Sequence, residues 1–448
     1  DICLYHQIPE MIGAGIASLK IEGRARPAEY LRPIVGIYRE AIDRYYEDPG
    51  AYSTDFDALA KLCSKTIREI GTSHAFYTPN VDSSGLSGKH EPRIFSIAVE
   101  ERPYQSPEQP LVFSETHVIN SMQIPEISVR CMTEETAFSL IDTPCDWIYV
   151  GGEHFSSTQG KAWKSGRLRE FIATAQDSGK KVGVNTPRIT TNREFTELDA
   201  LLDNLARQPP DEYLIHNTGA LAYMKNKTNV PLHGDFSLNI WNRDAAGFLK
   251  RNGIGLFTPG LELTLEQIGF LTDPSMNLPI ECMIHGSMPG MLLEYCVVGA
   301  HMTGTGRHDP CPGTCSKRNY ALSDKLGQPH WLETDQYCRN HLYMVKDLCT
   351  IGSLGDVVNT GARRLRIEGP LYRFDYLMTL VEVYHEALQQ LQRRESSGVR
   401  KLLEKIQAGA PRALTMGVYG NTTVAVSNPC TELPTGIVIQ YPQQEKPA

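Results

Sequence analysis

The sequence predicts an α/β fold: a parallel (β/α)8 TIM-like barrel, preceded by the last strand-helix unit of another barrel and followed by a small β-rich tail. Three observations carry this. Eight short apolar segments alternate with helical patterns. The two ends of the chain repeat one another without a gap. The 448 residues are more than a single domain ordinarily needs.

The repeat comes first along the chain. "DICLYHQIPEMIGAGIASLKIEGRARPAEYLRPIVGIYREAI" (1–42) aligns on "DLCTIGSLGDVVNTGARRLRIEGPLYRFDYLMTLVEVYHEAL" (347–388) at a constant offset of 346. The copies are identical at 13 of 42 positions, among them Cys3/Cys349, Glu22/Glu368, Tyr30/Tyr376 and Tyr38/Tyr384. Each reads as a short helix, a turn glycine, a strand ("SLKIEG" or "RLRIEG") and an amphipathic helix with apolar spacing near 3.6. The second copy closes the predicted barrel. The first, within residues 1–78, is therefore expected to close an earlier barrel whose other units are missing from this chain, whether they belong to the same precursor or to a separate polypeptide. The chain begins at Asp1 without an initiating methionine, as a processed or partial chain would. Residues 79–110, rich in Ser, Gly, Pro and Gln, read as a linker.

The barrel is expected over residues 111–395. Its strands are "ISVRCM", "DWIYVGG", "KVGVNTP", "EYLIHN", "VPLHGDFSL", "GIGLFTP", "IECMIHG" and "RLRIEG", mostly separated by helical patterns such as "GRLREFIATAQDSG" and "NRDAAGFLKRNG". A cysteine-rich insertion, 287–349, lies between strands seven and eight and is expected as irregular loop. In the C-terminal extension, 396–448, alternation from about residue 411 suggests a hairpin or small sheet.

Composition bounds the function. Hydrophobic content of 41% with 21% charged residues is ordinary for a soluble protein, and no apolar run approaches the roughly 20 residues a membrane span needs. A formal charge of −8 argues against a broadly basic nucleic-acid surface but leaves room for a local patch. Eleven cysteines, an odd number with no segment that reads as a signal peptide, point to reduced thiols and a cytoplasmic location. No Gly-rich phosphate loop, HExxH helix or nucleophile elbow occurs, and "GTGRHDP" follows no strand-to-helix pattern.

Four cysteines stand out. Cys296, Cys311, Cys315 and Cys338 are separated by 14, 3 and 22 residues, all within the insertion at the end of the barrel where catalytic groups belong. Four thiolates suit an iron-sulfur cluster, and equally a tetrahedral zinc; from spacing alone both stand, beside a reading as ordinary loop thiols. Cys63, Cys131, Cys145, Cys282 and Cys430 have no matching partner set and read as small core residues.

The segments "IECMIHGSMPGMLLEYC", the Cys-x3-Cys loop, "YALSD", "TDQYCRNH" and "RLRIEG", with "GDFSLNIWN", "PGLELT" and the N-terminal "DIC…AGIASLKIEGR…YREAID", resemble the collagenase-like unassigned peptidase family thirty-two, especially its large two-barrel members. The resemblance covers nearly all of residues 1–395. It implies relatives that hydroxylate tRNA, rRNA or the ubiquinone ring without O2, on a [4Fe-4S] cluster, with prephenate as the oxygen source. It departs at Pro289, where the family's usual signature has a cysteine. Cys349 matches the usual fourth ligand, as does Cys3 in the N-terminal copy. Two ligand sets therefore compete, and the set Cys296, Cys311, Cys315 and Cys338 needs no substitute. Cys3 is then expected to serve a cluster shared with the missing barrel.

A carboxylated co-substrate needs cationic or N–H donors, and Arg130 at the end of strand one and Arg188 after strand three are placed for it. A surface or capping arginine is the alternative reading of each. His285 ends strand seven and is a candidate proton donor, or else a satisfied structural histidine. Asp235, Asn239 and Asn242 after strand five are candidate substrate contacts and Glu262 after strand six a candidate catalytic carboxylate; Asp and Asn also serve turns and caps. Arg366 and Glu368, and likewise Lys20 and Glu22, fall on one strand face and read as buried ion pairs.

These features lead to an iron-sulfur enzyme that hydroxylates an RNA base or small aromatic substrate without O2. Two alternatives remain: a zinc-dependent, collagenase-like peptidase, and a non-catalytic cluster-bearing subunit supporting a partner barrel.

Overall fold

The computed structural model describes residues 2–23, 28–64, 124–156, 163–272, 277–303, 311–324, 326–395, 398–420 and 438–439. The expected linker at 79–110 and Cys430 lie outside them. The described residues fall into two compact units, one ending at Ser64 and the other beginning at Ile124. Among them, no helix is long and apolar enough to cross a membrane.

The N-terminal unit holds α1 (Ile8–Gly13), α2 (Ala28–Glu47) and α3 (Phe56–Ser64). A small core gathers Cys3, Tyr5, Ile8, Met11, Ala41 and Leu62, with the Cys3 sulfur 3.6 Å from the Tyr38 hydroxyl. The expected strand "SLKIEG" does not form: residues 16–23 are irregular, and Lys20 pairs with Glu22 at 3.6 Å with side chains 85% and 57% exposed. A strand is held by its neighbours' ladder, and among the described residues none is paired with this one.

The second unit carries all the strands: β1 (Glu126–Arg130), β2 (Trp147–Gly151), β3 (Lys181–Asn185), β4 (Glu212–Ile215), β5 (Leu232–Gly234), β6 (Ile254–Phe257), β7 (Glu281–Leu293), β8 (Tyr320–Ser323), β9 (Pro329–Thr334), β10 (Asn340–Cys349), β11 (Arg364–Glu368), β12 (Leu414–Thr415) and β13 (Val438–Ile439). The eight segments expected as strands are β1–β7 and β11. They form a curled parallel array in the order β7-β11-β1-β2-β3-β4-β5-β6. Phe257 at the end of β6 makes one parallel bridge to Ile280, next to β7.

Helices α4 (Glu134–Leu140), α5 (Ser165–Asp177), α6 (Asn192–Leu205), α7 (Thr218–Met224), α8 (Arg243–Arg251) and α9 (Leu265–Leu271) follow the first six strands in turn. Their starts are written in the sequence. Thr133, Asn217 and Asn242 accept the N–H three residues on, and Thr191/Glu194 and Thr264/Gln267 form capping boxes. Further along lie α10 (Val297–Thr303), α11 (Leu354–Asn359), α12 (Phe374–Gln392) and α13 (Val399–Gly409). One face of each parallel strand joins α12 and its fellows in the main core, as Leu365 and Ile367 of β11 do.

The insertion is not the irregular loop expected. Past Gly286, β7 leaves β11 and pairs antiparallel with β10, which pairs with β9, β9 with β8, and β8 with β13. Gly286 stands at the switch with φ +144°, and a Cβ there would lie 2.5 Å from that of Glu368. The β-branched and aromatic residues of "HWLET" and "HLYMV" were the signal available, without a clean alternation to sharpen it. The expected C-terminal sheet is represented by β12, parallel to β10, and by β13; residues 421–437 lie outside the described part.

Candidate functional site

The inner face of the curled sheet is charged. Arg366, fully buried, donates to Asp235 at 2.7 Å and lies 3.4 Å from Glu281 and 3.5 Å from Glu368. Arg364 pairs with Glu212 at 2.6 Å and bonds the Tyr149 hydroxyl. Glu281 accepts from Ser128 and Tyr149, both at 2.7 Å, and from Thr258 at 3.2 Å. Burial pushes the Asp235 carboxyl up, but the Arg366 guanidinium more than reverses this and holds it well below the usual carboxylate range. Paired this way, the charges tolerate a dry interior. The buried Arg366/Glu368 pair expected from alternation is present as part of this larger network.

At the C-terminal ends of the strands the network opens. Arg130 donates to Glu368 at 2.8 Å and lies 3.6 Å from Glu153. Glu153, only 4% exposed, follows Gly151 and Gly152, both with φ +79°, and accepts the Arg188 backbone N–H. Burial pushes Glu153 up, and His341, Arg130 and Arg188 outweigh it, bringing it down to about 2. Arg188 itself stands 4.7 Å over the Phe236 ring and makes no ion pair among the described residues. His216 is brought down to about 4, mainly by burial, so it is neutral near pH 7; it bonds Ser237 and Asn185.

Several expected residues sit elsewhere. His285 is not at this end: Arg366 pairs with Met283 but Ile367 with His285, and the extra residue Ile284 turns His285 to the outer face. There it lies between the Tyr384 and Tyr376 hydroxyls, each 3.2 Å away, fully buried and brought down to about 3 by that burial. Asp235 is committed to Arg366. Asn239 is exposed with φ +54° at the end of a helical turn, and Asn242 caps α8. Glu262 is exposed in the turn after β6. These three therefore have structural or solvent-facing places rather than a common pocket.

The four insertion cysteines lie in one region, Cys338 within electrostatic reach of the other three. All are free thiols. Cys296, just before α10, accepts the Gly299 N–H at 3.2 Å, and Cys311 accepts that of Gly313 at 3.4 Å. Cys315 packs beside Cys296 on a small cluster of Val298, Leu322 and Leu332. Cys338 has φ +61° in the β9–β10 turn, and burial followed by the neighbouring Cys311, Cys296 and Cys315 thiols raises it. Among the described residues, no group of three or more His, Cys, Asp or Glu side chains is arranged to hold a metal ion. Cys349 is apart from them, fully buried against the Tyr384 hydroxyl at 3.8 Å and pushed up to about 11 by burial. Cys3 repeats that contact with Tyr38 in the other unit. Cys131, Cys145 and Cys282 are buried in the main core as expected, and Cys63 is half-buried on α3.

Sequence reasoning missed Glu153, His341, Asp335 and Arg339 at this end. The pair of glycines before Glu153 was the available signal for a close turn.

Comparison with known proteins agrees with the resemblance. The family model "Peptidase family U32" matches residues 1–85 and 133–427. The 23S rRNA 5-hydroxycytidine C2501 synthase of Escherichia coli K12 is 24% identical over 244 residues, 54% of this chain and 36% of that protein. The tRNA hydroxylation protein P of Helicobacter pylori 26695 is 24% identical over 54% of this chain and 59% of its own length. A collagenase of Porphyromonas gingivalis W83 is 21% identical over 59% and 65%. The chain thus spans from about a third to three-fifths of the length of the two hydroxylation proteins. A solved U32 peptidase aligns over 41% of this chain and 75% of its own at 14% identity, with a TM-score of 0.31. With a family model matched over most of its length and the signature segments in place, the chain belongs to peptidase family U32.

Proposed function

We propose that this chain is an iron-sulfur protein of the hydroxylating kind, carrying a [4Fe-4S] cluster on Cys296, Cys311, Cys315 and Cys338. The observation that carries the proposal is the neighbourhood of these thiols, Cys296 and Cys315 against one apolar cluster and Cys338 within electrostatic reach of the other three. The donor set fits the group: four sulfurs, two already accepting backbone N–H bonds of the kind that stabilise clusters. When bound, the cluster would supply electron transfer or activation of an oxygen donor other than O2. On this reading the eight parallel strands act as a (β/α)8 cylinder, with chemistry at the C-terminal ends of its strands. Arg188, unpaired and backed by Phe236, holds a carboxylate of a prephenate-like co-substrate, and Glu153 fixes the Arg188 backbone and the Arg130 side chain beside it. Two relatives are named for rRNA and tRNA hydroxylation, so the substrate proposed is an RNA base. A catalytic zinc of the peptidase kind keeps an open position and usually takes His or Glu; an all-thiol set does not favour it.

The proposed partner is the rest of a first barrel. Every position buried on α12 has an apolar equivalent on α2, yet of those only Ala41 is buried in α2. That side of α2 fits the outer face of a parallel sheet, as α12 packs on its own.

Anaerobic purification with a visible spectrum and iron, sulfide and zinc analysis tests the reading. Broad absorbance near about 400 nm with about four irons per chain is expected; stoichiometric zinc without iron refutes it.

A further inference from the structure

Cys338 occupies the left-handed region, a conformation costing a non-glycine residue roughly 1–2 kcal/mol and kept only where neighbours enforce it. The enforcing groups are Asp335 and Arg339. The Asp335 carbonyl accepts the Cys338 N–H at 3.0 Å, and its backbone N–H donates to the Arg339 carbonyl at 3.0 Å. One carboxylate oxygen of Asp335 takes the Tyr337 and Arg339 N–H groups, each at 2.9 Å, and the other meets His341 Nε2 at 2.9 Å. Both residues are buried, Asp335 at 2% and Arg339 at 4% exposure, although the cysteine they flank is exposed.

Arg339 then reaches across the site. Its guanidinium pairs with Glu294 and Glu194, each at 2.8 Å, and donates to the Ile189 carbonyl. Glu294 lies two residues before Cys296, and Arg339 one residue after Cys338, so a single ion pair ties the segments bearing two of the four sulfurs. Asn340 adds a second tie, its side chain accepting the Val297 N–H at 2.7 Å. The two segments are also adjacent in the sheet, where Asn340 pairs with Leu293.

We propose that Asp335 and Arg339 are positioning residues that hold Cys338, and its spacing from Cys296, ready for metal as a preformed half-site that Cys311 and Cys315 complete. The proposal rests on the four-thiol reading above. It explains why a charge as costly to bury as a guanidinium is placed beside an exposed thiol: a buried ion pair contributes little net stability but fixes geometry.

The test uses Co2+ as probe on the reduced, metal-free full chain, reading thiolate-to-cobalt charge-transfer and tetrahedral d–d bands. The wild type is expected to take up Co2+ with a thiolate-rich spectrum. Arg339→Lys and Asp335→Ala are expected to bind it at least tenfold more weakly, with weakened d–d bands, while Asp335→Asn, which keeps an oxygen acceptor, recovers most of the affinity. Glu294→Gln loosens the same tie at a half-exposed carboxylate and decides the matter if a buried variant fails to fold. Wild-type affinity and spectrum in Arg339→Lys and Glu294→Gln would overturn the proposal. Absence of thiolate bands in the wild type would instead overturn the four-thiol reading itself.

Discussion

Arg188 is the residue whose freedom matters most. Its guanidinium lies over Phe236 and makes no ion pair among the described residues, so on the proposed function it is the group that receives the co-substrate carboxylate. Arg188→Ala should weaken co-substrate binding by roughly ten- to a hundredfold, the worth of a charged hydrogen-bond pair, while leaving metal content unchanged; isothermal titration with prephenate checks it. Glu153 has the opposite character. Its folded value of about 2 lies below the ordinary glutamate range, so its contribution, on the order of 3 kcal/mol, is present above about pH 4.5 and lost as pH falls toward 2. Glu153→Gln should lose less stability than wild type between pH 6 and pH 3, read from urea midpoints. The positions of Arg130, at the end of a strand, and Arg188, just after one, were legible in the sequence, but not that Arg130 is committed to Glu368 and Glu153. Glu153 was not, since no periodicity announces a carboxylate turned inward by two left-handed glycines.

At the scale of elements, one bulge decided the fate of His285. Plain alternation along "IECMIHG" sends Glu281, Met283 and His285 to the same face, and Glu281 obeys. The inserted Ile284 reverses the rest, a shift in register that only the pairing with β11 reveals. His285, held neutral under α12 by burial, stabilises the fold above its ordinary titration range and withdraws that support as pH falls from about 6.5 toward 3. His285→Phe should therefore flatten the stability loss in that window without altering metal uptake. On α12, Leu380 is fully buried in the main core, and Leu380→Ala should cost about 2–5 kcal/mol by chemical denaturation. Strand and helix positions were legible because apolar period and capping residues agree locally. The antiparallel layer was less so: its strands pair across an insertion whose cysteines, glycines and prolines signal loop.

At the scale of the whole molecule, the repeat shows how much context a sequence leaves out. Both copies spell strand then helix, and both keep a cysteine against a helix tyrosine, Cys3 with Tyr38 and Cys349 with Tyr384. Among the described residues, the second copy has a strand with sheet on either side and a buried helix, and the first has neither. Amide exchange should accordingly be faster along α2 than along α12 in this chain, measured by deuterium uptake. Local patterning states what a segment can become; its neighbours determine whether it does.

The thirteen residues of β7 belong to two structures at once, wall of the curled sheet before Gly286 and floor of the sulfur-bearing layer after it. The layer therefore cannot part from the wall without breaking the pairing of β7 with β10 or with β11.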